Sequence, residues 1–209
     1  MATSSEARAA RPTVVLVHGL LRTPRSLASV ARALESSGFL TQPFGYPSLR
    51  GRFESHGERL AEEFGRLDAD PACVTIHVVG HSLGNLVLRA ALARRLPRKL
   101  GRIVMLVPPN RGSPVARALA MLLGRVVPVL RQLSDDPESD ACRLGPVSGA
   151  TVGVIAARYD HLVREPSSHV DGESDHLVMA TTHSFLLWRR DVHEEIVHFL
   201  GHGRFHRSE

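Results

Sequence analysis

Cysteine is nearly absent from this 209-residue chain: Cys73 and Cys142 stand far apart and in no metal-ligand spacing. That spacing offers no disulfide framework, and a reducing cytoplasm is the expected setting. Aromatic residues make up 5% of the chain, with a single tryptophan, so few surfaces exist on which bases could stack. Long apolar runs are missing as well. The greasiest segment, Leu119 to Leu130, is interrupted by Arg125 and Pro128 and is far too short to cross a bilayer. The first residues, Met1 to Arg11, are polar and Ala/Ser-rich, without the apolar core of a signal peptide. Neither stable membrane insertion nor secretion is expected.

What is present is the balance of an ordinary globular protein, 43% hydrophobic and 22% charged. The length suits one domain and is enough to bury a core without staples. The formal charge of +5 raises nucleic acid as a partner. The basic residues form no single stripe, however. Their densest group, Arg94, Arg95, Arg98, Lys99 and Arg102, follows an apolar helical stretch, where cations suit a helix C-terminus. No nucleic-acid partner is expected.

Hydrophobic patterning alternates between two periods. Continuous β-branched runs at Thr13–Val17, Val74–Val79, Ile103–Val107 and Thr151–Ala156 read as strands buried on both faces. Phe39–Tyr46, broken by Pro43, reads as an edge strand, and Leu177–Ala180 as a short last one. Between them, Ser26–Leu34, His56–Leu67, Leu83–Leu96, Pro114–Leu133 (with a break near Pro128) and Val192–Leu200 have helical spacing. Strands alternating with helices imply an α/β fold: a mostly parallel sheet of about six strands covered on both faces.

Gly80-His81-Ser82-Leu83-Gly84 matches G-x-S-x-G at the junction of a predicted strand and a predicted helix. A serine on so sharp a turn has strained dihedrals and projects above a helix N-terminus, whose positive end favours the oxyanion charge of acyl transfer. The context makes Ser82 the expected nucleophile.

The chain resembles small lipase- and esterase-like α/β-hydrolases of bacterial type, from about Val14 to Phe205. The likeness rests on Val14 to Leu20 (first strand and oxyanion segment), Gly80 to Gly84 (nucleophile turn), Gly101 to Ser113 (the following strand and loop) and Tyr159 to Phe205 (acid loop, histidine loop and final helix). The resemblance implies a serine hydrolase with minimal or no cap, spanning residues 13–203. Residues 1–12 are expected to be disordered and 204–209 a flexible tail. The chain order Ser, Asp, His then selects among twelve histidines. His183, beyond the last short strand, is the expected base, with His176 as rival. Asp160 is the expected acid, with Asp171 and Asp175 as alternatives. His161 departs from the small residue that family members carry after this aspartate.

Backbone N–H groups of Leu20 and Leu83 are the expected oxyanion donors. Pocket candidates are Leu21, Leu119, Leu122 and Leu123, with Met121 beside them, and Ser134 to Asp140 as a flexible margin. His18 and His81 are read as local packing residues, and Asn85 as trimming space at the helix start. His198, His202 and His206 recur at i, i+4, but Gly201 and Gly203 are expected to interrupt any helix there, so no metal site and no cofactor are expected. The expected reaction is hydrolysis of a small-molecule or lipid-like carboxylic ester. The alternatives are an acyltransferase or thioesterase with the same residues, or a non-catalytic ligand-binding member of the fold.

Overall fold

The computed structural model describes residues 10–206. Its centre is one sheet of six parallel strands in the order β2-β1-β3-β4-β5-β6. The strands are β1 (Arg11–Val17), β2 (Leu40–Phe44), β3 (Cys73–His81), β4 (Leu100–Leu106), β5 (Thr151–Ala157) and β6 (Asp175–Met179). The helices are α1 (Ala28–Ser36), α2 (Phe53–Ala69), α3 (Leu83–Arg94), α4 (Pro114–Leu123), α5 (Val129–Gln132), α6 (Asp140–Arg143), α7 (Glu165–Ser168) and α8 (Arg190–His202). Single 3₁₀ turns at Pro24–Leu27 and Phe185–Trp188 precede α1 and α8.

The uninterrupted apolar runs are explained by burial on both faces. Val14, Val15, Leu16 and Val17 of β1 are all fully buried, and so are Ile103 to Leu106 of β4. Alternate residues point into two separate cores. Val15, Val17, Val78 and Met105 pack with Phe53, Phe64 and Leu86 of α2 and α3. Val14, Leu16, Val79 and Leu106 pack with Leu34 of α1 and with Ile196 and Phe199 of α8. β2 lies at the sheet edge as expected, which tolerates the missing N–H of Pro43.

The chain leaves β1 toward β2 on one side and returns through β3 on the other. The order therefore reverses between β1 and β3, where the crevice beyond the carboxyl ends of the strands is the preferred place for a ligand.

Several boundaries differ from those expected. The helical stretch Pro114–Leu133 is two helices, α4 and α5, with the break running from Gly124 to Pro128. α6 and α7 are single turns too short to show a period in the sequence. Gly201 does not end a helix: α8 continues to His202 and stops at Gly203, whose φ of 78° is the left-handed cap that glycine accepts at least cost.

The segment expected to be disordered lies mostly outside the described residues (1–9), but Arg11 and Pro12 belong to β1, where Arg11 N–H donates to Ala72 C=O at 3.1 Å. Of the expected tail, residues 207–209 lie outside the described residues, and Phe205 is buried. Its ring packs on Phe199 at 4.8 Å and its N–H donates to the Asp175 carboxylate.

Two residues of the basic cluster serve helix ends. Lys99 Nζ donates to the Leu67 and Asp70 carbonyls at the end of α2, and Arg102 donates to the Leu200 carbonyl near the end of α8.

Candidate active site

Ser82 sits between β3 and α3 with φ 51° and ψ −124°, a region non-glycine residues rarely enter. Such strain costs of order 1–3 kcal/mol and persists only where the surroundings hold it. Here they do. Ser82 N–H donates to Leu106 C=O at 2.9 Å, and its own C=O accepts from the Asn85 backbone N–H at 3.0 Å. The Asn85 side chain, fully buried, donates to both Ser82 C=O (3.1 Å) and Leu106 C=O (3.2 Å). Asn85 therefore ties the turn to β4, a role its position in the sequence does not reveal. Asn85 does not line the cleft beside Ser82.

Among the described residues, two other non-glycine residues have positive φ, Leu21 (57°) and Val107 (41°), and both follow strands at this same edge. Strain thus gathers where β1, β3 and β4 end. Close approach adds to it. A Cβ on Gly19 would lie 2.8 Å from His81 Nδ1 and 3.0 Å from Ser82 Cβ, and one on Gly84 would collide with the Val17 carbonyl oxygen. Only glycine lets the β1 loop lie against the serine turn and α3 lie against β1.

His183, on the loop after β6, places Nε2 3.0 Å from Ser82 Oγ and Nδ1 2.7 Å from Asp160 Oδ2. Asp160, on the loop after β5, has a side chain only 1% exposed. Its other oxygen, Oδ1, accepts the N–H groups of Leu162 (2.8 Å) and Val163 (2.9 Å), so the carboxylate is held at both ends. His161, the departure from the family pattern, is accommodated within this turn.

The rivals stand elsewhere. His176 lies within β6 against Ser168 Oγ, Asp171 is near Arg111, and Asp175 accepts from its own strand and from Phe205.

His81 is a positioning group for that loop. It is buried, and its Nε2 donates to the His183 carbonyl at 3.1 Å. Burial, with His183 as a lesser cause, pushes its pKa down to about 3, so it stays neutral. His18 stacks on Tyr46 at 4.3 Å and its Nδ1 meets the Gly19 carbonyl at 3.0 Å, while the Tyr46 hydroxyl donates to the His18 carbonyl at 2.6 Å. Arg22 Nη2 donates to Ser184 Oγ at 2.7 Å and so bridges the β1 loop to the His183 loop.

Leu83 is the first residue of α3, a position whose N–H has no acceptor inside the helix. Leu20 lines the cleft, and the neighbouring Leu21 N–H is engaged by Ser48 Oγ at 3.1 Å.

Ser82 and His183 open onto a cleft of about 260 Å³ with mainly apolar walls. Leu21 and Leu119 line it. Leu122 and Leu123 do not: Leu122 is 83% exposed and Leu123 47%. The helical stripe begun by Val115, Ala116 and Leu119 passes the cleft within one turn, and Leu122 and Leu123 continue it beyond the rim. Met121 is also exposed, at 80%. The walls that expectation missed are Leu130 of α5, Leu133 just after it, and Leu162 and Val163 near Asp160. The i, i+1, i+4 spacing of Val115, Ala116 and Leu119 was a signal for the first part of this wall; nothing local signalled the rest.

Comparisons with known proteins agree with this architecture. A family model described as "Putative serine esterase (DUF676)" matches residues 9–108, which cover β1 through β4 and the serine turn. No curated protein sequence matches the chain. Among solved structures, the chain is similar to Aspergillus fumigatus lipase B (TM-score 0.75, 17% identity, covering 92% of this chain and 53% of that one). It is also similar to Bacillus licheniformis lipase BlEst2 in its propeptide form (TM-score 0.72, 14% identity, 90% and 50%). A third is the carboxylesterase CesB of Bacillus subtilis (TM-score 0.62, 17% identity, 92% and 84%). The chain spans about half the length of the two lipases and most of the carboxylesterase. Among the described residues no helix is long and apolar enough to cross a membrane.

Proposed function

We propose, from the premise that the chain is an α/β-hydrolase of the lipase- and esterase-like kind, that it hydrolyses carboxylic esters through an acyl-enzyme on Ser82. The observation that carries the reading is the hydrogen-bonded series Asp160–His183–Ser82 at 2.7 and 3.0 Å, opening onto an apolar cleft.

In this reading His183 Nε2 accepts the Ser82 hydroxyl proton as Oγ attacks the ester carbonyl. Asp160, bound to Nδ1–H, holds the tautomer that leaves Nε2 free and stabilises the imidazolium that forms. The carbonyl π electrons move onto oxygen, where the N–H groups of Leu20 and Leu83 receive the charge. Collapse breaks the bond to the alcohol oxygen, which takes the proton from His183. Water, deprotonated by the same imidazole, then releases the acid and restores Ser82. The strained turn contributes by presenting Oγ without a search through rotamers.

The apolar walls from α4, α5 and the Leu162–Val163 segment suit an acyl chain, and the small cleft suits short to medium lengths. No cofactor enters this chemistry, and the free cysteines fit a cytoplasmic setting.

The test is hydrolysis of p-nitrophenyl esters of graded acyl length by the wild-type chain and by Ser82→Ala. Turnover that falls by about 10⁶ in the variant supports the reading. Equal, near-background rates in both, with no labelling of Ser82 by a fluorophosphonate, would overturn it in favour of a binding role. Labelling of Ser82 without ester turnover would direct the search to thioesters or to acyl transfer.

A further inference from the structure

The loop that carries Asp160 does more than supply that residue. After Val163 it forms α7, turns back at Gly172 (φ 87°) and enters β6. Along this return it brings together three side chains unrelated to Ser82. His169, Glu173 and His176 each offer one ligand atom, all within 4.8 Å of one another. The two imidazole rings stack at 4.0 Å with only 18° between their planes, and His169 Nδ1 lies 2.6 Å from Glu173 Oε1.

We propose that His169, Glu173 and His176 bind a divalent transition-metal ion of the zinc class. Three features of the cluster support this.

The donor set is two imidazole nitrogens and one carboxylate oxygen, which favours zinc over the oxygen-seeking magnesium or calcium. Ligand atoms on a tetrahedral zinc lie about 3.3 Å apart, so closure needs side-chain shifts of only about an ångström.

The ligands are also held from behind. Ser168, 1% exposed, places Oγ 3.0 Å from His176 Nε2, and Glu173 Oε2 accepts the Val170 N–H at 3.0 Å. The Ser168 carbonyl in turn accepts from Asn110 Nδ2 at 2.8 Å, fastening the segment to the loop beyond β4. Such partners orient ligands and fix which ring nitrogen is available.

The site is reachable as well, since His169 is 40% and Glu173 17% exposed at the side chain.

Three protein ligands leave a fourth position for water. The bound ion would clip the return of the acid loop to β6, the strand that leads into His183. The cluster stands apart from the ester chemistry, and the inference does not depend on that reading.

The test is titration of the metal-free full chain with zinc chloride, followed by calorimetry and by thermal midpoint. The expected result is one ion per chain, affinity weakened at least tenfold in His169→Gln and unchanged in His198→Gln, and a midpoint raised by about 5 °C at a hundredfold excess over the dissociation constant. Far-UV circular dichroism checks that His169→Gln folds. Should it not, zinc K-edge absorption on the wild-type protein decides: two imidazoles with oxygen ligands support the site. Equal binding by wild type and His169→Gln, three imidazoles in the zinc shell (the His198, His202, His206 group), or no binding below about 1 mM zinc would each overturn it.

Discussion

The two sides of the cleft are built to different standards. On one side the serine turn is strained and over-determined. Asn85, His81 and Gly19 are buried around it, and the hydrogen bonds of Ser82, Asn85 and His81 to the backbone tie the turn to β4 and to the His183 loop. On the other side α4 is held loosely. Of its ten residues only Ala116 is buried, and Leu119, Met121, Leu122 and Leu123 face outward to differing degrees. Reacting atoms must be placed within a fraction of an ångström, whereas an apolar chain needs only a greasy wall of about the right breadth. The contrast makes definite predictions.

The largest effect after Ser82→Ala belongs to the acid. Asp160→Asn keeps the shape but presents an amide N–H₂ or a weaker acceptor to His183 Nδ1. Its kcat should fall by about 10⁴ with the thermal midpoint little changed, because the lost interaction is with an imidazole tautomer. A fall below tenfold would mean that the carboxylate's place is not functional and would reopen Asp171 and Asp175.

Asn85→Ala comes next and tests the strained side directly. It removes the donors to Ser82 C=O and Leu106 C=O and leaves both buried. Unfolding free energy should drop by about 1–3 kcal/mol in urea melts. If the amide holds the serine turn, kcat should also fall while KM stays within a few-fold. A loss of stability with kcat intact would reduce Asn85 to scaffold.

A third prediction concerns pH. His77, buried on β3, accepts the Arg102 N–H at 2.9 Å through Nδ1, and burial, aided by the Arg102 charge, lowers its pKa to about 4. The unfolded chain, with histidine near 6.5, binds this proton at a higher pH than the folded one. Stability from His77 is therefore present at neutral pH and is lost as pH falls from about 6.5 toward 4. The loss between pH 7 and pH 5 is about 2 kcal/mol. His81 adds to it in the same direction. Denaturant melts of His77→Gln should show a shallower decline over this interval, and a decline as steep as that of wild type would discount the assignment.

The smallest effect lies on the loose side. Leu119→Ala should raise KM for medium-chain esters a few-fold and leave kcat for acetate esters alone. Leu122→Ala, one turn beyond the rim, should change neither. Equal responses from the two would mean that α4 moves inward when substrate binds.

Much of this was legible along the chain. Thr13–Val17 and Ile103–Val107 could only be strands buried on both faces, and G-x-S-x-G between a strand and a helix pointed to Ser82. The chain order, the places of the loops after the last strands and the family resemblance together pointed to Asp160 and His183, with Asp171, Asp175 and His176 left as rivals. What was not legible has a common cause. Asn85 looked like a space-filler because its partners, Ser82 C=O and Leu106 C=O, belong partly to another strand. Leu162 and Val163 line the cleft only because Asp160 folds the chain back through two backbone N–H groups. Phe205 looked like tail because its partner Phe199 lies across a glycine turn.

The sequence by itself determined which segments are strands or helices, since hydrophobic period is a local property, and which turn carries the strained serine, since glycines mark it. Only the tertiary structure decided which side chains meet. The Ser82–His183 contact closes 101 residues of chain, the Asp160–His183 contact 23, and the cleft wall depends on where α4 breaks. Such contacts follow from how the two cores pack on the sheet, and no periodicity along the chain encodes them.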